Sequence, residues 1–103
     1  MVIKKESAEK FQQPGVKGRK YESKELLPDN SFVYGELDGE HGERVATAVP
    51  RLYYILEGKG RVEIEDGAYS VSEGDLAIIP PNAKYNYFSE GGRLKFILFM
   101  EKH

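Results

Sequence analysis

Apolar residues along this chain come in short runs punctuated by Gly, Pro, Asn and Asp, and no long stretch carries a helical repeat. Leu52-Tyr53-Tyr54-Ile55-Leu56 is dense in aromatic and branched side chains and stops at Gly58-Lys59-Gly60, the pattern of a buried strand. Arg61-Val62-Glu63-Ile64-Glu65 then alternates strictly, which puts Val62 and Ile64 on one face. Asp66-Gly67 predicts a hairpin turn, because both residue types tolerate positive φ, and the return strand over 68–72 places Tyr69 and Val71 together.

Glu73-Gly74-Asp75 is a further turn, followed by the short apolar run Leu76-Ala77-Ile78-Ile79. Pro80-Pro81-Asn82 ends that run, since successive prolines cannot donate to a sheet ladder. Over 83–88, alternation points Ala83, Tyr85 and Tyr87 inward. After Gly91-Gly92 the segment 94–100 is nearly all apolar and reads as a closing central strand. The first half is less regular. An edge strand is expected within 16–26, a turn at Pro28-Asp29-Asn30, and a strand over 32–37 with Phe32, Tyr34 and Glu36 on one face and Val33, Gly35 and Leu37 on the other. Residues 38–44 read as a polar loop that holds His41. Many short strands joined by tight turns predict an all-β antiparallel sandwich or barrel.

A chain of 103 residues makes one domain, here read as an irregular N-terminal arm and edge strand over 1–31 and a barrel over 32–103. With 15 Lys and Arg against 17 Asp and Glu, interspersed, there is no one-sided basic field, so no nucleic-acid partner is expected. No apolar stretch approaches the ~18 residues of a membrane span, and the start lacks a signal-peptide core, which together lead to an expectation of a cytoplasmic protein with no membrane partner. The absence of Cys removes disulfides, thiolate zinc sites, iron–sulfur clusters and a Cys nucleophile. Only two histidines, His41 and His103, remain for metal binding or base chemistry.

Two blocks, Tyr53-Tyr54-Ile55-Leu56-Glu57-Gly58-Lys59-Gly60 and Gly74-Asp75-Leu76-Ala77-Ile78-Ile79-Pro80-Pro81, resemble the small single-domain cupins, the resemblance covering about residues 32–100. It implies a double-stranded β-helix jelly-roll barrel, commonly a homodimer, with a pocket inside. In metal-binding members three His and one Glu hold a divalent ion. The corresponding positions here are Val45 and Thr47, or one residue earlier, for two His, Arg51 for the Glu and Tyr85 for the last His, while Asn82 replaces a Gly and Ser89 an Asn. An Arg where a dication would sit adds repulsion, so no metal or other cofactor is expected at these positions. A divergent metal site built from Glu40, His41 and Glu43, with Glu36 and Asp38 nearby, is a third-ranked alternative.

On the barrel that the resemblance implies, the inward set comprises Val45, Thr47, Arg51, Tyr53, Tyr85 and Tyr87, with Tyr34 or Glu36 from the preceding strand. From these, Arg51, Tyr53, Tyr85, Tyr87, Thr47 and Glu36 are expected to bind a small polar or anionic metabolite, the guanidinium pairing an anion and the phenols stacking and donating. The bland alternative makes the tyrosines core and rim and lets Arg51 reach solvent, and Pro50 introduces a bulge that shifts Val45 and Thr47 out of phase. No catalytic residue is assigned. An acid–base enzyme on sugars or sugar acids, using Tyr85, Arg51 and a carboxylate or His41, is the competing reading. No nucleophile or phosphate-loop motif is present, and the long apolar final strand needs a partner sheet or subunit to cover both faces, which together with the resemblance leads to an expectation of a homodimer.

Overall fold

The computed structural model describes residues 1–101; His103 lies outside them. A 3-10 turn, Lys5–Ser7, precedes eight strands: β1 Glu9–Gln13, β2 Val16–Ser23, β3 Leu27–Glu40, β4 Arg44–Val45, β5 Arg51–Ile64, β6 Gly67–Ser72, β7 Leu76–Ile79 and β8 Lys84–Glu101. Pairing runs β1-β2-β3-β8-β5-β6, with β4 also on β8 and β7 also on β5, and every pair is antiparallel. No helix among the described residues is long and apolar enough to cross a membrane.

The two long strands turn this ladder into a barrel. The first half of β5 pairs with β7 and with the second half of β8, from Leu52↔Phe99 to Ile55↔Phe96. Its second half pairs with β6 and the first half of β8, from Lys59↔Glu90 to Ile64↔Tyr85. Each strand therefore serves two sheets and must bend between them. Gly58 supplies that bend in β5: its φ is +95°, and a Cβ there would sit 2.4 Å from the Arg93 carbonyl oxygen, so only glycine fits.

Alternation then fills the interior. On β8 Leu94, Phe96, Leu98 and Met100 are buried while Lys95, Ile97 and Phe99 look outward, half-exposed. Phe96, Leu37, Ile55, Ile79 and Leu94 are the largest fully enclosed apolar side chains, each contributing ~1.5–3 kcal/mol by leaving water. Gly35 lies under Phe96, whose ring occupies the space a Cβ would need, 2.5 Å away.

Three local expectations shift. The β5–β6 hairpin turns on Glu65-Asp66, one residue early, with Glu65 at φ +52°. Glu65 is clamped to β8, its N–H donating to the Lys84 carbonyl at 2.8 Å and its carboxylate accepting from the Lys84 N–H at 3.0 Å, which fixes the turn there. Tyr69 and Val71 lie on one face of β6 as expected, opposite Val62 and Gly60, and of the two Val71 is the buried one. Pro28-Asp29-Asn30 is not a turn but the start of β3; the turn is Lys24-Glu25-Leu26. Pro28 is tolerated because neither the β2 register, which ends at Ser23↔Leu27, nor the β8 register, which begins at Asn30↔Glu101, requires its missing N–H. Finally, β3 runs on to Glu40, so the expected loop over 38–44 shrinks to His41-Gly42-Glu43.

Candidate functional site

One end of the barrel interior is not filled. A cavity of about 270 Å³ opens there between the inner faces of β2, β3, β5 and β8, roofed by Phe11 and Gln13 of β1. Its wall is aromatic. The Tyr85 and Tyr87 rings are stacked, 6.3 Å apart at 10°; Tyr53 lies 5.1 Å from Tyr87 and 5.4 Å from Phe96. The phenols form a chain of polar contacts in this otherwise apolar wall. Arg51 Nη1 donates to Tyr85 Oη at 3.0 Å, and Tyr85 Oη lies 3.3 Å from Tyr53 Oη.

The register places these groups together. Arg51 opens β5 opposite Ile79, Tyr53 sits two residues on with the same inward phase, and Tyr85 arrives on the first half of β8 across from Ile64. Burial pushes the Tyr53 and Tyr87 hydroxyls well above the ordinary phenol value, with Tyr85 adding in the same direction, so both stay protonated donors. Burial works against the charge of Arg51, but Tyr85, Tyr53 and Glu101 outweigh it and hold the guanidinium cationic. Glu101 flanks it, its Oε1 3.9 Å from Arg51 Nη2, and accepts a hydrogen bond from Thr47 Oγ1.

His41 also lines the cavity and is buried, although the sequence put it on an exposed loop. Its ring packs 5.0 Å from Tyr87, its backbone N–H donates to the Tyr87 carbonyl, and its ring Nδ1 lies 3.1 Å from the Pro14 carbonyl oxygen. A carbonyl only accepts, so Nδ1 carries the proton and the neutral ring keeps its lone pair on Nε2. Burial lowers the imidazole below its ordinary value, opposed by the bond to Pro14 and reinforced by Arg44 and Arg51.

Of the residues singled out from sequence, Arg51, Tyr53, Tyr85 and Tyr87 come together at the cavity. Thr47 is half-buried and engaged with Glu101, beside the cavity and not in its wall. Glu36 is on the opposite face: Val33, Gly35 and Leu37 take the inward positions of β3, and Glu36 pairs outside with Arg93 at 3.1 Å. Tyr34 shares that outer face. Val45 stands at the rim and is 61% exposed, and Ala46 takes the buried position. The missed contributors are Lys20, Arg44, Phe11 and Gln13. Alternation within 16–20 does put Lys20 in phase with buried Val16, the one signal that was available. Glu40, His41 and Glu43 do not converge: Glu40 accepts from Asn86 Nδ2 at 2.8 Å, Glu43 is exposed, and among the described residues no three His, Asp or Glu come together.

Residues 36–100 match the family model described as a cupin domain. The chain belongs to the cupin family. A search of curated proteins finds no match for this cupin. Among solved structures it is similar to a predicted oxalate decarboxylase from Thermotoga maritima, at 20% identity and a TM-score of 0.82, covering 100% of each chain. It is likewise similar to a tyrosine variant of Streptomyces PAC13 solved with uridine, at 21% identity and 0.82 over 96% of this chain and 78% of that one. KdgF from Halomonas sp. superposes at 20% identity and 0.76 over 95% and 90%. At such identities the likeness speaks for the fold alone.

The residues at the family's metal-ligand positions do not fit a divalent cation. Val45 has no donor atom, the Thr47 hydroxyl is committed to Glu101, Arg51 brings a positive charge, and Tyr85 Oη already accepts from that guanidinium. What the arrangement offers instead is a fixed cation with phenol donors beside an apolar aromatic wall.

Proposed function

We propose that this cupin binds a small anionic metabolite in its barrel without a metal. Arg51 receives the anion, Tyr85 and Tyr53 orient the guanidinium and offer hydroxyls, and the Tyr87 and Phe96 faces hold the ligand's apolar part. The observation that carries this reading is a cavity whose wall brings together the cationic side chains of Arg51, Lys20 and Arg44, with the Glu101 carboxylate flanking Arg51. Thr47 takes a supporting part by holding Glu101 to one side of the guanidinium, and Glu36 drops out of the ligand set. The cavity lies just below the ~300–1,000 Å³ common for drug-sized ligands, which favours a compact metabolite. Thermal-shift screening of small carboxylates and phosphates in chelator-treated buffer tests it: stabilisation that vanishes in Arg51→Met is expected, and stabilisation unchanged by that substitution overturns it.

Acid–base turnover is the second reading, favoured by the buried His41 with its lone pair on Nε2. Solvent exchange of carbon-bound protons in a panel of sugars and sugar acids, followed by proton NMR and lost in His41→Gln, would establish it.

The reading includes a homodimer. Outward-facing Tyr21, Phe32, Phe99, Leu52 and Ile78 align in one row across five strands, and Tyr34, Ile97, Tyr54 and Leu76 in the next. With strands ~4.8 Å apart, this stripe is ~19 Å wide, a contiguous apolar face that a second copy of the chain would cover. The adjoining row alternates in charge, Lys17, Glu36, Lys95, Glu57, a pattern that a two-fold copy of itself can complement. Light scattering should give twice the chain mass, and Ile78→Lys should give the monomer.

A further inference from the structure

We infer that the cavity carries a second anion-binding point, formed by Lys20 and Arg44, and that the metabolite is therefore a compact dianion. This inference rests on the barrel-binding reading above and names its ligand class. Lys20 lies on the inner face of β2, in a cross-sheet row with Val33, Leu98 and Tyr53, all buried. Lys20 is half-buried in this apolar row, and no Asp or Glu lines the wall to meet its charge. Glu9, opposite Lys20 in the β1–β2 register, is exposed and makes no ion pair with it. Arg44 approaches the same cavity from β4, its Nη2 3.4 Å from Gln13 Oε1, so the N-terminal hairpin and β4 bring two cations to the roof.

Arg51 belongs to a different strand from Lys20 and is held by Tyr85, which Arg44 opposes in the β4–β8 register, so Lys20 on β2 and Arg51 on β5 stand on separate walls of one cavity and Arg44 lies beside Tyr85. A ligand with a single charge satisfies one of them. A ligand with charges at both ends satisfies both, each gaining charge-assisted hydrogen bonds in a partly dry site. The apolar wall of Tyr53, Tyr87, Phe96 and Leu98 suits the uncharged span between them.

The experiment measures butyrate and succinate binding by calorimetry at matched ionic strength, with the intact chain and with Arg51→Met, Lys20→Met, Arg44→Met and Lys17→Met. Succinate is expected to bind the intact chain about tenfold or more tighter than butyrate. Lys20→Met and Arg44→Met should each erase most of that advantage while leaving butyrate within about twofold. Lys17 sits on the outer face of the same strand, and Lys17→Met should preserve the preference, separating a local contact from the general field. Equal affinities for the two anions, both still lost in Arg51→Met, would overturn the second point and leave the barrel reading standing. A succinate preference that survives Lys20→Met and Arg44→Met, or falls equally in Lys17→Met, would also overturn it. Binding of both anions indifferent to Arg51→Met would instead overturn the barrel reading itself.

Discussion

The two ends of the barrel interior are built on the same strands and follow different rules. At the closed end Leu37, Ile55, Leu94 and Val71 meet as aliphatic side chains with no polar atom among them, and Leu37 and Leu94 are essentially inaccessible. At the open end the next inward positions of β5 and β8 carry Tyr53, Arg51, Leu98 and Met100, facing Tyr85 and Tyr87, and a cavity remains. Burial at the first end lowers the free energy of the fold directly. At the second, hydroxyls and cations are taken partly out of water and only some of that cost is offset, by the Arg51–Tyr85–Tyr53 contacts. Polarity retained where apolar packing would stabilise more is the mark of a site.

Substitutions at the two ends should therefore separate stability from binding. Leu94→Ala is expected to have the largest effect on the fold, a loss of ~2–5 kcal/mol in denaturant unfolding, with anion affinity unchanged at temperatures where the variant stays folded. Arg51→Met should do the reverse: anion affinity falls ~10–100-fold, while unfolding free energy moves by less than ~1 kcal/mol, because an apolar side chain of similar length replaces a half-buried cation. If Arg51→Met unfolds the chain and Leu94→Ala abolishes binding alone, the division between the ends is wrong.

Smaller effects sharpen the boundary. Tyr85→Phe keeps the ring stack but removes the acceptor for Arg51, so affinity should drop ~2–10-fold with little change in stability. For pH, the buried imidazole of His41 titrates below its unfolded value of ~6.5. As pH falls through 6.5 the unfolded chain binds the proton first, so this group's contribution to stability declines until the folded-state value is reached and then levels off. His41→Gln should remove that decline, seen as a smaller fall in unfolding midpoint between neutral and mildly acidic pH than in the parent chain.

The closed end and the frame were legible in the chain. Strict alternation in 61–65 and the apolar run over 94–100 each fall in an observed strand, since inward aliphatic residues with period two have few other solutions, whereas the strand end expected at Gly58-Lys59-Gly60 is a bend inside the continuous β5. Tyr85 and Tyr87 were reachable by the same periodicity, and Arg51 and Tyr53 through the cupin resemblance. His41 was not: a lone histidine between glycine-containing polar residues carries no periodic signal, and its burial depends on Pro14, distant in sequence, folding over it. Glu36 was misplaced because Phe32, Tyr34 and Glu36 look as plausible inward as Val33, Gly35 and Leu37. Only the packing of Phe96 against Gly35 decides between them. Lys20 and Arg44 were missed because cations are assumed to face solvent, an assumption that fails at a charged pocket.

The central claim is that a guanidinium, in place of a metal, receives the ligand. Calorimetric titration of a small carboxylate into the chain after exhaustive chelation, and into Arg51→Met, tests it most directly. Undiminished binding to the chelated parent and none to the variant is the predicted result; binding that disappears on chelation and returns with a divalent ion would contradict it.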